Sequence, residues 1–274
     1  MTKIIKYNIT TVSSLIVSPR SDRAFYTDLD DSIGEYCNKN YDKYLDRDGL
    51  RIVYPFYRYG QYECYSPEQA EYYLPGSSIK GALKNPDGKS KEINSKQNIM
   101  AEDIKIGNDK IVLRNLYKLQ YLDEPVKKGA LKPFFENVGI EMVRDGVRLE
   151  GELFSDMDTV KHLLQDANRV TKQKIKQMLE YLEMIKETEA RKKGCANNVN
   201  TIQVEKKGCV DVINTIIEKL KPLQNKDNIF LLGGYKGLLH SICLNKAEEI
   251  NSAVFIDQET DLPHGLISID LVEV

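Results

Sequence analysis

Tyr72-Tyr73-Leu74-Pro75-Gly76-Ser77-Ser78-Ile79-Lys80-Gly81-Ala82-Leu83-Lys84 reads as the end of a strand, a sharp turn and the start of a helix. Tyr72, Tyr73 and Leu74 suit a pleated, half-buried surface. Pro75-Gly76 breaks that strand. Ser77 or Ser78 is placed to cap a helix that begins near Ile79. The backbone N–H groups of Gly76, Ser77 and Ser78 would then point outward at the positive end of the helix dipole, a seat for a phosphate. Lys80 and Lys84 are one turn apart and share a helix face, so both reach the same polyanion. Gly81 lets the helix lie close to a neighbour, at a cost of roughly 1 kcal/mol against alanine. A plain capped helix with solvated lysines would give the same pattern, so residue chemistry alone leaves both readings open.

A second turn of the same kind lies near the C-terminus. Asn228 to Leu232 reads as a short buried strand, followed by Gly233-Gly234-Tyr235-Lys236-Gly237 and a helix from Leu238. A lone glycine-rich turn at a helix start is a weak phosphate signal. His240, just beyond it, has no evident acid–base partner and is expected to be structural.

Composition bounds the rest. The chain has 274 residues, a hydrophobic fraction of 41% and a formal net charge of −2. It is not a uniformly basic nucleic-acid binder, so an RNA site must be a local patch or be shared with partners. No apolar run approaches a membrane span, and Met1 to Lys6 has no signal-peptide pattern, which predicts a cytoplasmic protein. Cys37, Cys64, Cys195, Cys209 and Cys243 are scattered without C-x-x-C spacing and are expected to be reduced thiols.

In chain order, Lys3 to Val17 predicts a long first strand, bent near Ser13-Ser14. Residues 22–73 hold eleven Asp/Glu against six Lys/Arg. Asp28, Asp30 and Asp31 cluster before a helix expected from Ser32 to Leu45. Such a cluster suits a divalent metal or acid–base work, but acids at a helix start also simply complement its dipole. From Ile52 to Tyr65, the aromatics Tyr54, Phe56, Tyr57, Tyr59 and Tyr62 interleave with Arg58, just after Arg51. That mixture suits base stacking, and equally an interface or a core. Ile104 to Leu116 around Gly107-Asn108-Asp109 predicts a hairpin or two neighbouring strands. Phe134 to Val143 and Val147 to Phe154, joined at Arg144-Asp145-Gly146, predict another hairpin. Met157, Val160, Leu164 and Ala167, then Ile175, Met178, Leu182 and Ile185, predict helix from Asp156 to Lys193. A second helix is expected from about Cys209 to Leu220. Lys172, Lys174 and Lys176 are candidate RNA contacts, although a solvated face is the ordinary fate of such lysines. Pro263 to Asp270 closes the chain as an alternating strand.

Leu74-Pro75-Gly76-Ser77-Ser78-Ile79-Lys80-Gly81-Ala82-Leu83-Lys84 resembles the PGSS-φ-KG signature of the RAMP superfamily, the RRM-like RNA-binding subunits of CRISPR effector complexes. Leu231, Leu232, Gly233, Gly237, Leu238 and Ser241 are similar to the glycine-rich loop of its capping subunits, with Gly234-Tyr235 departing from the pattern. Val17-Ser18-Pro19-Arg20 lacks the His-φ-Gly segment usual after the first strand. The chain resembles in particular the subunit that caps the backbone filament and the crRNA 3′ end in type III-A (Csm) complexes.

The resemblance implies an α+β fold: an RRM/ferredoxin-like RAMP core with an antiparallel sheet, inserted β-hairpins and a helical insertion. The implied layout is a core over residues 1–155, a helical insertion over 156–226 and a return to the core over 227–274. It implies RNA contacts at Gly76, Ser77, Ser78, Lys80, Lys84, Gly233, Gly234, Lys236 and Gly237, with no catalytic residue, cofactor or metal. The implied partners are crRNA, other RAMP subunits and a crRNA-trimming nuclease. The implied role is non-catalytic, in crRNA maturation and antiviral defence. The alternative is a backbone subunit that cleaves target RNA with a metal, using Asp28, Asp30 or Asp31, although its usual Ile-Gly-x-φ-Asp-Ser-Pro setting is absent. A third possibility is an interaction scaffold with no RNA contact.

Overall fold

The computed structural model describes residues 3–17, 23–40, 42–87, 98–122, 128–193, 209–233, 237–243 and 253–272. The first half of the chain runs β1 (Lys3–Thr11), β2 (Phe25–Tyr26), α1 (Ser32–Lys39), β3 (Ile52–Tyr54), β4 (Tyr72–Leu74), α2 (Gly76–Lys84), β5 (Met100–Ala101), β6 (Ile104–Ile106), β7 (Ile111–Asn115) and β8 (Tyr117–Leu122). It continues with β9 (Lys128–Pro133), β10 (Val138–Val143), β11 (Arg148–Ser155), α3 (Met157–Lys193), α4 (Cys209–Leu220), β12 (Ile229–Leu231), α5 (Gly237–Ser241), β13 (Ala253–Asp257), β14 (Leu262–Pro263) and β15 (Leu266–Leu271).

Strict alternation organises the main sheet. Along β1, Ile5, Tyr7 and Ile9 are buried while Ile4 and Lys6 are exposed. One face can therefore receive helices and the other stays open. The sheet is five-stranded, in the order β12-β15-β1-β11-β5, with every pairing antiparallel. Ile79 and Leu83 of α2, and Val160, Leu163 and Ala167 of α3, join Ile5, Tyr7, Ile9, Leu153 and Ile269 in one core. The first half of α3 thus belongs to the main sheet, inside the span assigned to a helical insertion. Its second half (Ile175, Met178, Leu182, Ile185) packs with α4 against β8, β13 and β14 in a second core. The overall class is α+β, with sheets that are antiparallel except for β3 beside β10.

Ile104 to Leu116 forms two successive strands and no hairpin, and the hairpin expected from Phe134 to Phe154 is absent. β6 pairs with β4, whereas β7 pairs with β10 in another sheet. β10 and β11 likewise part company, β10 beside β3 and β7 and β11 beside β1. Gly146 does take the turn, at φ 71°. The continuation of β1 then inserts at the joint: Thr11 N donates to Val147 O, and Leu15 bridges Val143. All six residues of β10 are buried, so that strand needs covering on both faces and cannot lie flat against its neighbour.

A buried carboxylate ties these layers together. Glu141, in β10, accepts the Tyr72 hydroxyl at 2.7 Å, the Tyr65 hydroxyl at 2.9 Å and the Phe56 amide at 2.8 Å. Burial outweighs those donors and holds its carboxyl above the ordinary value of 4.5. The folded state therefore retains that proton more tightly than the unfolded chain. The group's contribution to stability is full below pH 4.5 and declines as pH rises through the raised value. Glu141→Gln should flatten this part of a plot of Tm against pH. Near neutrality it should cost about 1–3 kcal/mol, because one donor loses its acceptor. Parallel wild-type and variant curves from thermal melts across pH 4–8 would assign the titration elsewhere.

Candidate nucleic-acid interface

The signature segment folds as a strand followed by a helix, but its cap differs from expectation. α2 starts at Gly76, not near Ile79; Pro75 is its N-cap residue, and neither Ser77 nor Ser78 caps it. Asp103 does so from across the chain, its Oδ1 accepting the Gly76 amide at 2.8 Å. Ser78 N–H donates to Pro75 O at 2.9 Å. Two of the three amides expected to point outward are therefore used internally. Glycine at 76 answers a packing demand: a Cβ there would sit 2.0 Å from the Ala101 carbonyl oxygen.

The exposed face of α2 is where the chain remains open. Ser77, Lys80 and Gly81 are exposed and Lys84 is half-buried, spaced one turn apart along one stripe. Neither lysine forms an ion pair with a described residue. Gly81, expected to lie close to a neighbour, has no described atom within 4 Å of a Cβ built there. The stripe is two cations around a bare patch of backbone, pointing away from the core made by Ile79 and Leu83.

The second turn is only partly described. Gly234 and Lys236 lie outside the described residues. Gly233 adopts φ 118°, and a Cβ there would lie 2.1 Å from Ile16 O, so this glycine serves close packing against the chain beyond β1. Gly237 adopts φ 59° at the start of α5, against Phe255. Gly76 packs on the β5 edge of the main sheet, at the level of Ile5, and Gly233 follows β12 on the opposite edge, beyond the level of Thr11. The two turns therefore lie toward opposite edges and opposite ends of the main sheet, and a ligand touching both must be extended.

Several other candidates are engaged within the fold. Asp30 is buried, its Oδ1 accepting Ser32 N at 3.1 Å and its Oδ2 accepting Tyr65 N at 2.5 Å, while Asp28 and Asp31 face outward. Among the described residues no group of three or more His, Cys, Asp or Glu is placed to hold a metal ion. His240 is fully buried, its Nε2 accepting Phe255 N at 3.4 Å. Lys174 is buried and donates to Ser241 O at 2.8 Å and to Pro86 O, pinning the end of α2 to the end of α5. Lys172 pairs with Asp227 at 2.6 Å and Lys176 with Glu180 at 3.8 Å. Cys37, Cys64, Cys209 and Cys243 are free thiols, and Cys195 lies outside the described residues. No described helix is long and apolar enough to cross a membrane. The open face of the main sheet carries Lys6 and Arg148 against Glu150, Glu152 and Asp270, with Phe154 the one aromatic from β1, β11 or β15 on it. The net charge of these residues is −1 and Lys6 pairs with Glu152, so the face offers phosphate no net attraction.

No family model matches the chain, and no curated protein matches it. Among solved structures, it is similar to a chain of a Csm–crRNA–target RNA ternary complex of a type III-A CRISPR-Cas system, determined by cryo-EM. Identity is 11% and the TM-score 0.49, covering 97% of this chain and 100% of that one. It is also similar to the crystal structure of T. onnurineus Csm5, at 11% identity and TM-score 0.36, covering 95% and 99% of the two chains. Likeness of that extent assigns no role by itself.

The two glycines of the signature should respond oppositely to alanine. Gly76→Ala forces a methyl into the Ala101 carbonyl and should cost about 3 kcal/mol. Gly81→Ala meets no atom and should stabilise by up to about 1 kcal/mol. Denaturant midpoints of the two variants check this; equal shifts would contradict the packing described for α2.

Proposed function

We propose that this chain is a non-catalytic crRNA-binding subunit of a type III-A CRISPR effector complex, capping its backbone filament, and that the exposed face of α2 is its main phosphate contact. The observation that carries the reading is the stripe of Ser77, Lys80, Gly81 and Lys84 within a word that resembles the RAMP signature. Its cations have no described partner, and its central glycine leaves the backbone approachable by a polymer from outside.

The topology supports the finer fold assignment. β1, α2, β5, β11, α3 and β15 follow one another as βαββαβ, and their strands lie in the order β15-β1-β11-β5. That is the connectivity of a ferredoxin-like core. β12, sheets elsewhere in the chain and α4 are additions to it. The net charge of −2 fits a subunit whose RNA contact is local and completed by neighbours. The commitment of Asp30 to the Ser32 and Tyr65 amides supports a role without catalysis by the Asp28–Asp31 cluster. A trimming nuclease and other RAMP subunits remain the partners this reading expects.

Lys80→Ala/Lys84→Ala tests it. Binding of a single-stranded crRNA by the purified chain should weaken about equally across sequences. Each lost phosphate contact should reduce the slope of log K against log[salt] by roughly 0.7. Fluorescence anisotropy at several salt concentrations reads both quantities. An unchanged slope in the double variant removes α2 from the interface.

A further inference from the structure

Arg58 is a buried charge that the described part of the protein leaves unanswered. It lies between β3 and β4, in Arg58-Tyr59-Gly60-Gln61-Tyr62. The residue is 6% exposed. Its guanidinium lies over two rings, 4.5 Å from the centroid of Phe25 and 4.3 Å from that of Tyr62. Among the described residues it has no hydrogen-bond acceptor and no carboxylate within ion-pair reach, and its Nη1 is enclosed and unpartnered. Glu141 feels its field. That carboxylate is already committed, however, one oxygen to the Tyr65 and Tyr72 hydroxyls and the other to the Phe56 amide. Stacking on aromatic rings offsets only part of the desolvation of a guanidinium.

Arg58 also lines a cavity of about 430 Å³, together with Arg23, Gly60, Gln61, Tyr62 and Glu63. The two rings lie against the guanidinium without accepting its N–H protons, so the donors that reach the cavity are left for a ligand. Such donors form a fork matched to two oxygens of one anion. Arg23 brings a second positive charge to the same cavity and Gln61 an amide, while Glu63 brings one negative charge. Two cations and a neutral donor against one carboxylate leave the lining net positive, and suit an anion with three or more oxygens better than a carboxylate with two. The geometry points to a phosphate-binding site centred on Arg58, filled by a phosphodiester of RNA or by the phosphate of a free nucleotide. This site is separate from α2 and does not depend on the role given to that helix.

The test uses the full chain with inorganic phosphate, AMP and a single-stranded RNA 12-mer as probes, at constant ionic strength. Phosphate should raise the wild-type Tm where equivalent chloride does not, and Arg58→Met should abolish that rise. Without phosphate, Arg58→Met should melt no lower than wild type, since it removes an unanswered charge and keeps an unbranched apolar stem against the rings. Should Arg58→Met fail to fold, Arg58→Lys keeps the charge without the fork and should lose about tenfold in phosphate affinity. A parallel loss of RNA affinity in either variant identifies the phosphodiester as the occupant. Loss of the phosphate and AMP effects with RNA binding intact identifies a free phosphorylated ligand. Absence of a phosphate-specific shift in wild type, or its survival in both variants, overturns the site and leaves Arg58 a stacking residue only.

Discussion

The carboxylate of Glu141 is the constraint on which the signature segment depends. It reaches from β10 into a space closed to water and collects donors from three separate stretches of chain: Phe56, Tyr65 and Tyr72. Each of those donors would be an unsatisfied polar group without it, and it would be an isolated buried acid without them. Tyr72 is in β4, immediately before the turn into α2. The orientation of that helix is therefore set at two places, by Glu141 through Tyr72 behind it and by Asp103 and Ala101 at its first residue. What remains free on α2 is the face with Lys80 and Lys84.

This division separates holding from binding within one short sequence. Gly76, Ile79 and Leu83 are committed to the core and the neighbouring strand. Ser77, Lys80 and Gly81 are not. A helix held this firmly on one side can offer a pre-ordered cationic stripe on the other, and pre-ordering lowers the entropy lost when a flexible polymer docks. The open face of the main sheet, with three acids against two bases, offers no comparable cationic stripe. An overall charge of −2 is compatible with the local RNA contact proposed for α2.

Local order was legible in the sequence wherever one periodicity ran unbroken. The helices from Met157 and from Cys209 and the start of the Lys3–Val17 strand appear where expected, although the strand ends at Thr11 and Met157 is exposed. Pairing was less legible. Asp145-Gly146 is a good turn, yet its flanking strands separate because the chain beyond β1 occupies the space between them, and that segment is remote in sequence. The same remoteness hid Asp103 as the partner of Gly76, Lys174 as the clamp on Pro86 and Ser241, and Glu141 as a structural acid. A lone acid in a strand and a lysine among three on a helix look solvated until the layers are assembled. The bare surroundings of Gly81 were hidden too, because glycine spacing cannot distinguish close packing from open surface.

Photo-crosslinking of crRNA to the assembled complex, followed by mass spectrometry of the attached peptides, tests the central claim most directly. The account predicts nucleotide adducts on the peptide that contains Ser77 to Lys84. Adducts confined to the open face of the main sheet, at Lys6 or Arg148, with none on α2, would contradict it.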